Sequence, residues 1–128
     1  MKLVQYNNTN LALFKTKAQF NQSVSAYKQY ISVMSLRHDI RYKIYRVFNY
    51  LATEARSNLG VLSKDNKQIS MDLEISTRTL LKYYERLVNL GMLELINLKD
   101  TTTYIFIINP ITLNKAVDLP IITINDDI

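Results

Sequence analysis

The chain has 128 residues, of which 48% are hydrophobic and 21% are charged, and it contains two glycines, two prolines and no cysteine. This length and composition predict one globular domain with its own core and exclude collagen-like, low-complexity and generally disordered chains. The lack of cysteine excludes disulfide scaffolds, thiolate zinc sites and cysteine nucleophiles, and the single histidine, His38, excludes a histidine-rich metal site.

The net charge is +5 and the isoelectric point is about 9.4, with the charge unevenly distributed along the chain. Residues 1–43 carry seven Lys and Arg against one acid, whereas three aspartates are the only charged residues after Lys115. A basic small domain suggests a polyanionic partner, most often nucleic acid, although a basic surface can also serve solubility alone. No apolar run approaches the roughly 20 residues of a membrane helix and no signal peptide is recognisable, so the expected compartment is the cytoplasm.

A first helix is predicted at residues 21–35, with Ser23 or Ser25 as its N-cap. Five apolar residues are spaced by four, three, four and three positions and therefore share one helical stripe: Phe20, Val24, Tyr27, Ile31 and Met34. Two interpretations of this stripe stay open. It packs into the core of its own domain, or it contacts the same stripe of a second copy in a dimer.

A second helix is predicted at residues 39–56, where the most regular apolar stripe of the chain runs from Ile40 to Ala55. Asp39 is placed to cap its start, and Gly60 is placed to end the turn that follows. His38 is expected to cap this helix or to face solvent rather than to take part in catalysis.

Two short helices follow, separated by only a few residues. The first is predicted at residues 66–73 with Asp65 as its N-cap, and the second at residues 76–90 with Ser76 as its N-cap. Gly91 is placed to adopt the left-handed conformation that ends a helix. The chain therefore has a tight turn between two helices.

After Gly91 the sequence becomes β-branched and aromatic, which favours strands over helices. Strands at residues 92–97 and 103–108, joined by a polar and charged loop, predict an antiparallel hairpin. Residues 121–124 are a candidate for a further short strand in a tail that ends in acidic residues.

The order of these elements is helix, short helix, tight turn, second helix and hairpin. It predicts a mainly α fold with a small β-hairpin and an additional N-terminal helix. The predicted organisation is a basic N-terminal extension with its helix at 1–38, a central domain at 39–110 and a C-terminal tail at 111–128.

Within this order, residues 63–93 resemble the bacterial winged helix-turn-helix pattern. Ile69-Ser70 match its pair of an apolar and a small residue, Leu73-Glu74-Ile75-Ser76 match the turn, and Leu87 to Leu93 match its Leu-x-x-x-Gly-x-apolar ending. The resemblance extends over about residues 40–109. It is to the winged-helix domains of phage and plasmid replication initiators and of small bacterial transcription regulators.

One position departs from this pattern. The family usually has glycine in the turn between the two short helices, where this chain has Glu74. A glutamate in the left-handed conformation costs about 1 kcal/mol relative to glycine. The turn is therefore expected either to be reshaped or to tolerate the strain.

The resemblance implies that the second short helix contacts bases in the major groove of double-stranded DNA. Its exposed face is expected to carry six candidate contact residues: Thr77, Arg78, Thr79, Lys82, Tyr83 and Arg86. Arg78 is a candidate for bidentate binding to guanine. In the hairpin, Lys99 and Thr101 are candidates for contacts to a flanking phosphate or the minor groove. The same helix face could instead be an ordinary solvated surface.

The implied function is sequence-specific DNA binding as a transcription regulator or replication initiator of a bacterium, phage or plasmid. Pairing of two copies through the first helix would match a palindromic site and improve discrimination. The alternative is a winged-helix module that binds an acidic protein, because a fold does not determine function. No enzyme, cofactor or metal is predicted, because no carboxylate pair, Gly-rich phosphate loop or nucleophile elbow is present.

Overall fold

A computed structural model of the chain describes residues 11–99 and 101–111. These residues form four helices and three strands: α1 (Lys17–Ser32), α2 (His38–Ala55), β1 (Val61–Asp65), α3 (Asn66–Leu73), α4 (Thr77–Asn89), β2 (Leu93–Asn97) and β3 (Thr103–Ile108). No helix in this part of the chain is long and apolar enough to span a membrane. The candidate strand at 121–124 lies outside the described residues.

The three strands form one antiparallel sheet in the order β1-β3-β2. The predicted hairpin corresponds to β2 and β3, and the sheet also contains β1, a strand that was not predicted. β1 pairs with β3 along its whole length, with Val61 opposite Ile107 and Asp65 opposite Thr103. β1 has no recognisable strand signal in the sequence, because its five residues, two apolar followed by three polar, lack the alternation that marks a strand.

Both faces of the sheet carry buried apolar side chains. On one face, Phe106 and Ile108 join the main core formed with the helices. On the other face, a second cluster consists of Val61, Ile105 and Ile107, and Leu11 and Ala12 pack against it. Burial on both sides explains why β3 is almost continuously apolar rather than alternating.

α1 begins four residues before its predicted start. Thr16 is its N-cap, because the Thr16 hydroxyl oxygen accepts the backbone N–H of Gln19 at 3.1 Å. The predicted caps Ser23 and Ser25 are wrong, since both lie inside the helix. Ser23 is buried and its hydroxyl accepts the backbone N–H of Ile111 at 3.0 Å, so it fixes the chain after β3 instead.

The apolar stripe of α1 belongs to the core of its own chain, and all five of its residues are buried. Tyr27 packs edge-on against Phe48 of α2, with ring centroids 5.9 Å apart. The Tyr27 hydroxyl donates to the carbonyl oxygen of Asn109 at 2.8 Å, and burial raises the pKa of Tyr27 to about 12. Core packing is therefore confirmed, and a dimer contact through this stripe is wrong because its side chains are already covered.

The N-terminus of α2 is not capped by the predicted residue. The helix begins at His38, and Arg37 occupies the N-cap position without a side-chain cap. Asp39 lies in the first turn, where a carboxylate interacts favourably with the helix dipole, and it pairs with Arg37 at 3.3 Å. The prediction of Asp39 as the cap is wrong, whereas His38 is exposed as expected.

The local signals around α3 and α4 are confirmed. The Asp65 carboxylate accepts the backbone N–H of Lys67 at 2.8 Å, and the Ser76 hydroxyl accepts that of Thr79 at 3.2 Å. Gly91 follows α4 with a φ of +79°. Five apolar residues of the two helices and the turn between them are buried and form the core there: Ile69, Leu73, Ile75, Leu80 and Leu87.

The turn between α3 and α4 keeps a tight geometry although glycine is absent. Glu74 adopts the left-handed conformation, with a φ of 57°. The Ser70 hydroxyl donates to the carbonyl oxygen of Ile75 at 2.6 Å across the turn. Arg46 of α2 donates to the carbonyl oxygen of Leu73 at 3.1 Å. These two hydrogen bonds hold the turn, so the strain at Glu74 is tolerated.

A group of side chains that we call the polar cluster joins α3 to α2 and β1. Lys64 Nζ lies 3.0 Å from Glu54 Oε1, 3.7 Å from Asp72 Oδ2 and 5.1 Å from the ring centroid of Tyr50. The Tyr50 hydroxyl donates to one Asp72 oxygen at 2.5 Å, and the Gln68 amide donates to the other at 2.8 Å. These two hydrogen bonds lower the pKa of the Asp72 carboxyl, and the bond from Tyr50 has the larger effect.

The left-handed conformation of Glu74 leads to a prediction about stability. Glu74→Gly should raise the free energy of unfolding by about 0.5–1 kcal/mol, because relief of about 1–2 kcal/mol of backbone strain exceeds the extra chain entropy of glycine. Urea denaturation measures the change. Glu85→Gly, in the middle of α4, is the control and should lower the free energy of unfolding by about 1 kcal/mol. A Glu74→Gly variant no more stable than the parent would contradict strain at this position.

The polar cluster generates a prediction on pH. Since folding lowers the pKa of Asp72, its contribution to stability is present above the unfolded value, about 3.9, and is lost as the pH falls through the folded value. Asp72→Asn should therefore be less stable than the parent at pH 7 and closer to it at pH 2.5, as measured by urea denaturation. Glu94→Gln, at an exposed position of β2, is the control. An equal difference at both pH values would refute a role for the Asp72 charge.

Candidate nucleic-acid interface

α4 has a buried side and an exposed side. Leu80, Tyr84 and Leu87 are buried against the core. Helical spacing then centres the opposite side on Arg78 and Lys82, and both side chains are exposed. Because they are four residues apart, these two cations are neighbours on consecutive turns in the N-terminal half of the helix.

Tyr84 positions α4 relative to α3 and the hairpin. Its ring packs edge-on against Phe106 of β3, with centroids 5.0 Å apart, and its hydroxyl donates to Asn66 Oδ1 at 2.8 Å. Asn66 is the buried first residue of α3, and its backbone N–H donates to the carbonyl oxygen of Thr102 at 2.8 Å. Burial raises the pKa of Tyr84 well above its usual range, so the hydroxyl remains a donor. This chain of hydrogen bonds joins α4, α3 and the hairpin turn.

The structure divides the six candidate residues of α4 into two groups. Three are exposed: Thr77, Arg78 and Lys82. Three are half-buried: Thr79, Tyr83 and Arg86. The Thr79 hydroxyl accepts a hydrogen bond from Ser76 Oγ at 2.9 Å as part of the helix cap, and Tyr83 packs against the core. Of the six expected exposed residues, three are thus exposed and three are only partly exposed.

One acidic residue, Glu85, also lies on the exposed part of α4. It comes three residues after Lys82 and seven after Arg78, so it is one to two turns further along the helix. The cationic character of the exposed side is consequently concentrated in the first two turns.

The hairpin turn is tied to the start of α3. The Thr101 hydroxyl donates to the carbonyl oxygen of Leu98 at 2.7 Å, so this side chain stabilises the turn itself. The Thr102 hydroxyl donates to Asp65 Oδ1 at 3.0 Å. Lys99 is exposed in this turn. The two candidate residues of the hairpin thus differ, since Thr101 has a structural hydrogen bond and Lys99 has an exposed ammonium group.

The polar contacts that position these groups join residues that are distant in the sequence. Tyr84 and Asn66 are 18 residues apart, and Tyr50 and Asp72 are 22 residues apart, so no local spacing identifies either pair. One signal was present: Tyr84 falls on the buried stripe of α4, and a buried tyrosine hydroxyl usually finds a partner. Among the described residues, no group of three or more His, Asp or Glu is placed to hold a metal ion.

Comparisons of the chain with protein-family models, with curated proteins and with solved structures find no match in any of the three. An assignment of function therefore depends on the residues and surfaces described above.

Proposed function

We propose that the chain is a winged-helix domain that binds double-stranded DNA with sequence specificity. The order α2-β1-α3-α4-β2-β3 and the sheet order β1-β3-β2 support this fold, because two helices joined by a tight turn are followed by a hairpin. In this proposal α4 is the recognition helix in the major groove, and the turn between β2 and β3 is the wing.

The observation that carries the proposal is the exposed pair of Arg78 and Lys82 in the first two turns of α4. The planar guanidinium group of Arg78 matches the O6 and N7 acceptors of guanine in the major groove. The ammonium group of Lys82, one turn further, suits a phosphate as a compact point charge. Thr77, directly after the N-cap, adds a hydroxyl that suits a base edge or a phosphate.

The global charge supports the same partner. A net charge of +5 favours the electrostatic, sequence-independent part of DNA binding. This part comes from the release of counterions from the DNA, and it weakens as the salt concentration rises. Exposed lysines outside α4, such as Lys15 and Lys17, contribute to this long-range attraction without needing a defined contact.

A single recognition helix contacts only a few base pairs, so we propose that two copies bind half-sites about 34 Å apart along the DNA. Because the apolar stripe of α1 is buried, the copies would contact each other through a different surface. The proposed setting is the cytoplasm of a bacterium, where the domain would regulate transcription or initiate phage or plasmid replication.

Arg78 is expected to distinguish DNA sequences. Arg78→Ala should weaken binding to the preferred site by about 1–3 kcal/mol and binding to random DNA much less. Fluorescence anisotropy with a site selected from a random DNA pool measures both affinities. Arg56→Ala, which removes an exposed arginine from the 3-10 turn after α2, is the matched control and should change neither affinity strongly.

Two other results would revise the assignment. Equal losses on both DNAs would make Arg78 a phosphate contact, and no loss on either would remove α4 from the interface. Failure of the unmodified protein to bind DNA even at low salt would refute the proposed function and favour an acidic protein partner.

Lys99 is expected to contact a phosphate without distinguishing sequences. Lys99→Ala should weaken all DNAs alike and reduce the slope of log K against log salt concentration by about one unit. Lys17→Ala, at an exposed position in the first turn of α1, is the control and should leave a larger slope than Lys99→Ala does. An unchanged slope for Lys99→Ala would exclude the hairpin turn from the interface.

A further inference from the structure

α4 carries an apolar row outside its buried stripe. Leu81 and Val88 are 41% and 36% exposed, and they lie on the same side of the helix because they are seven residues apart. Thr77, four residues before Leu81, lies on the same side of the helix. The row is not what holds α4 on the core, because the buried stripe already does so.

Only one of these two large apolar residues covers the first turn of α4. A helical side chain points back towards the N-terminus, so it covers the surface over the turn that precedes its own Cα. For Leu81 that turn contains Thr77 and Arg78, where base contacts are proposed. For Val88 the preceding turn contains Glu85, beyond the cationic part of the helix.

The surroundings of Leu81 indicate the chemistry of its partner. Single exposed leucines are common and need no special explanation. Leu81, however, is flanked by Arg78 three residues earlier and Lys82 next to it, and both are exposed. These two cations favour an anionic partner over an apolar protein surface. DNA combines the negative charge of its phosphates with one apolar group in the major groove, the 5-methyl of thymine.

We propose that Leu81 recognises the 5-methyl group of thymine beside the base or phosphate that Arg78 contacts. This inference rests on the proposed function and adds a specificity-determining residue to it. A contact that buries one methyl-sized group is worth about 0.8 kcal/mol, which corresponds to about a fourfold change in affinity. The preferred site is therefore expected to contain a thymine that can be identified by removing its methyl group.

The experiment combines changes in the protein with the loss of one methyl group from the DNA. Each thymine of the selected site is replaced in turn by deoxyuridine, which lacks only the 5-methyl. The unmodified protein should bind about fourfold more weakly at one or two of these positions. Leu81→Ala should bind the thymine and deoxyuridine versions equally at those positions. Leu81→Met, which keeps a large apolar side chain, should preserve the discrimination.

Val88→Ala is the matched control, because it removes an exposed apolar residue from the same row two turns further along. It should discriminate thymine from deoxyuridine as the unmodified protein does. Circular dichroism verifies that each variant is folded. Alanine at position 81 is compatible with the helix, because the position is exposed and alanine has the highest helix propensity.

The outcomes separate this inference from the proposed function. If the unmodified protein prefers its site but is indifferent to every thymine methyl, or if Leu81→Ala discriminates as well as the parent, the role of Leu81 is wrong while DNA binding stands. A variant that keeps all DNA affinities but changes the sedimentation of the free protein would make the row a protein contact, which also overturns the inference. Absence of any sequence preference in the unmodified protein would overturn both proposals.

Discussion

The buried hydrogen bond between Tyr84 and Asn66 joins the elements on which the exposed side of α4 depends. Tyr84 lies in α4, Asn66 begins α3, and the backbone N–H of Asn66 binds the carbonyl oxygen of Thr102 in the hairpin turn. Loss of one partner would leave a buried polar group unpaired at a cost of about 1–3 kcal/mol. The two helices and the turn are consequently held in one arrangement, and the proposed recognition helix and wing are held together.

Other polar contacts fix α3 to the rest of the domain. The polar cluster joins it to α2 and β1, and Arg46 binds the carbonyl oxygen at its C-terminal end. With α3 held at both ends, the left-handed conformation of Glu74 persists although a side chain is unfavourable there. The strain is thus a consequence of surroundings that allow the turn only one geometry.

Structural roles narrow the surface that remains for a partner. Thr79 belongs to the helix cap, Tyr83 packs against the core and the Thr101 hydroxyl closes the hairpin turn. The exposed part of the first two turns of α4 still carries a cationic pair, Arg78 and Lys82, and an adjacent apolar row begins there. A narrow surface of this kind, held by buried contacts, presents few side chains in defined positions. Sequence-specific recognition of a base edge requires such an arrangement.

Elements whose signals are local can be predicted from the amino-acid sequence. The stripe of α2, the caps Asp65 and Ser76 and the hairpin follow from interactions within a few residues, and such interactions act in the same way in any fold. Which segments contact each other depends instead on packing between residues that are far apart in the chain. The stripe of α1 has the same period whether it covers a core or a second copy, and β1 becomes a strand because β3 lies beside it. The bond from Tyr84 to Asn66 likewise forms only after the chain has brought two distant segments together.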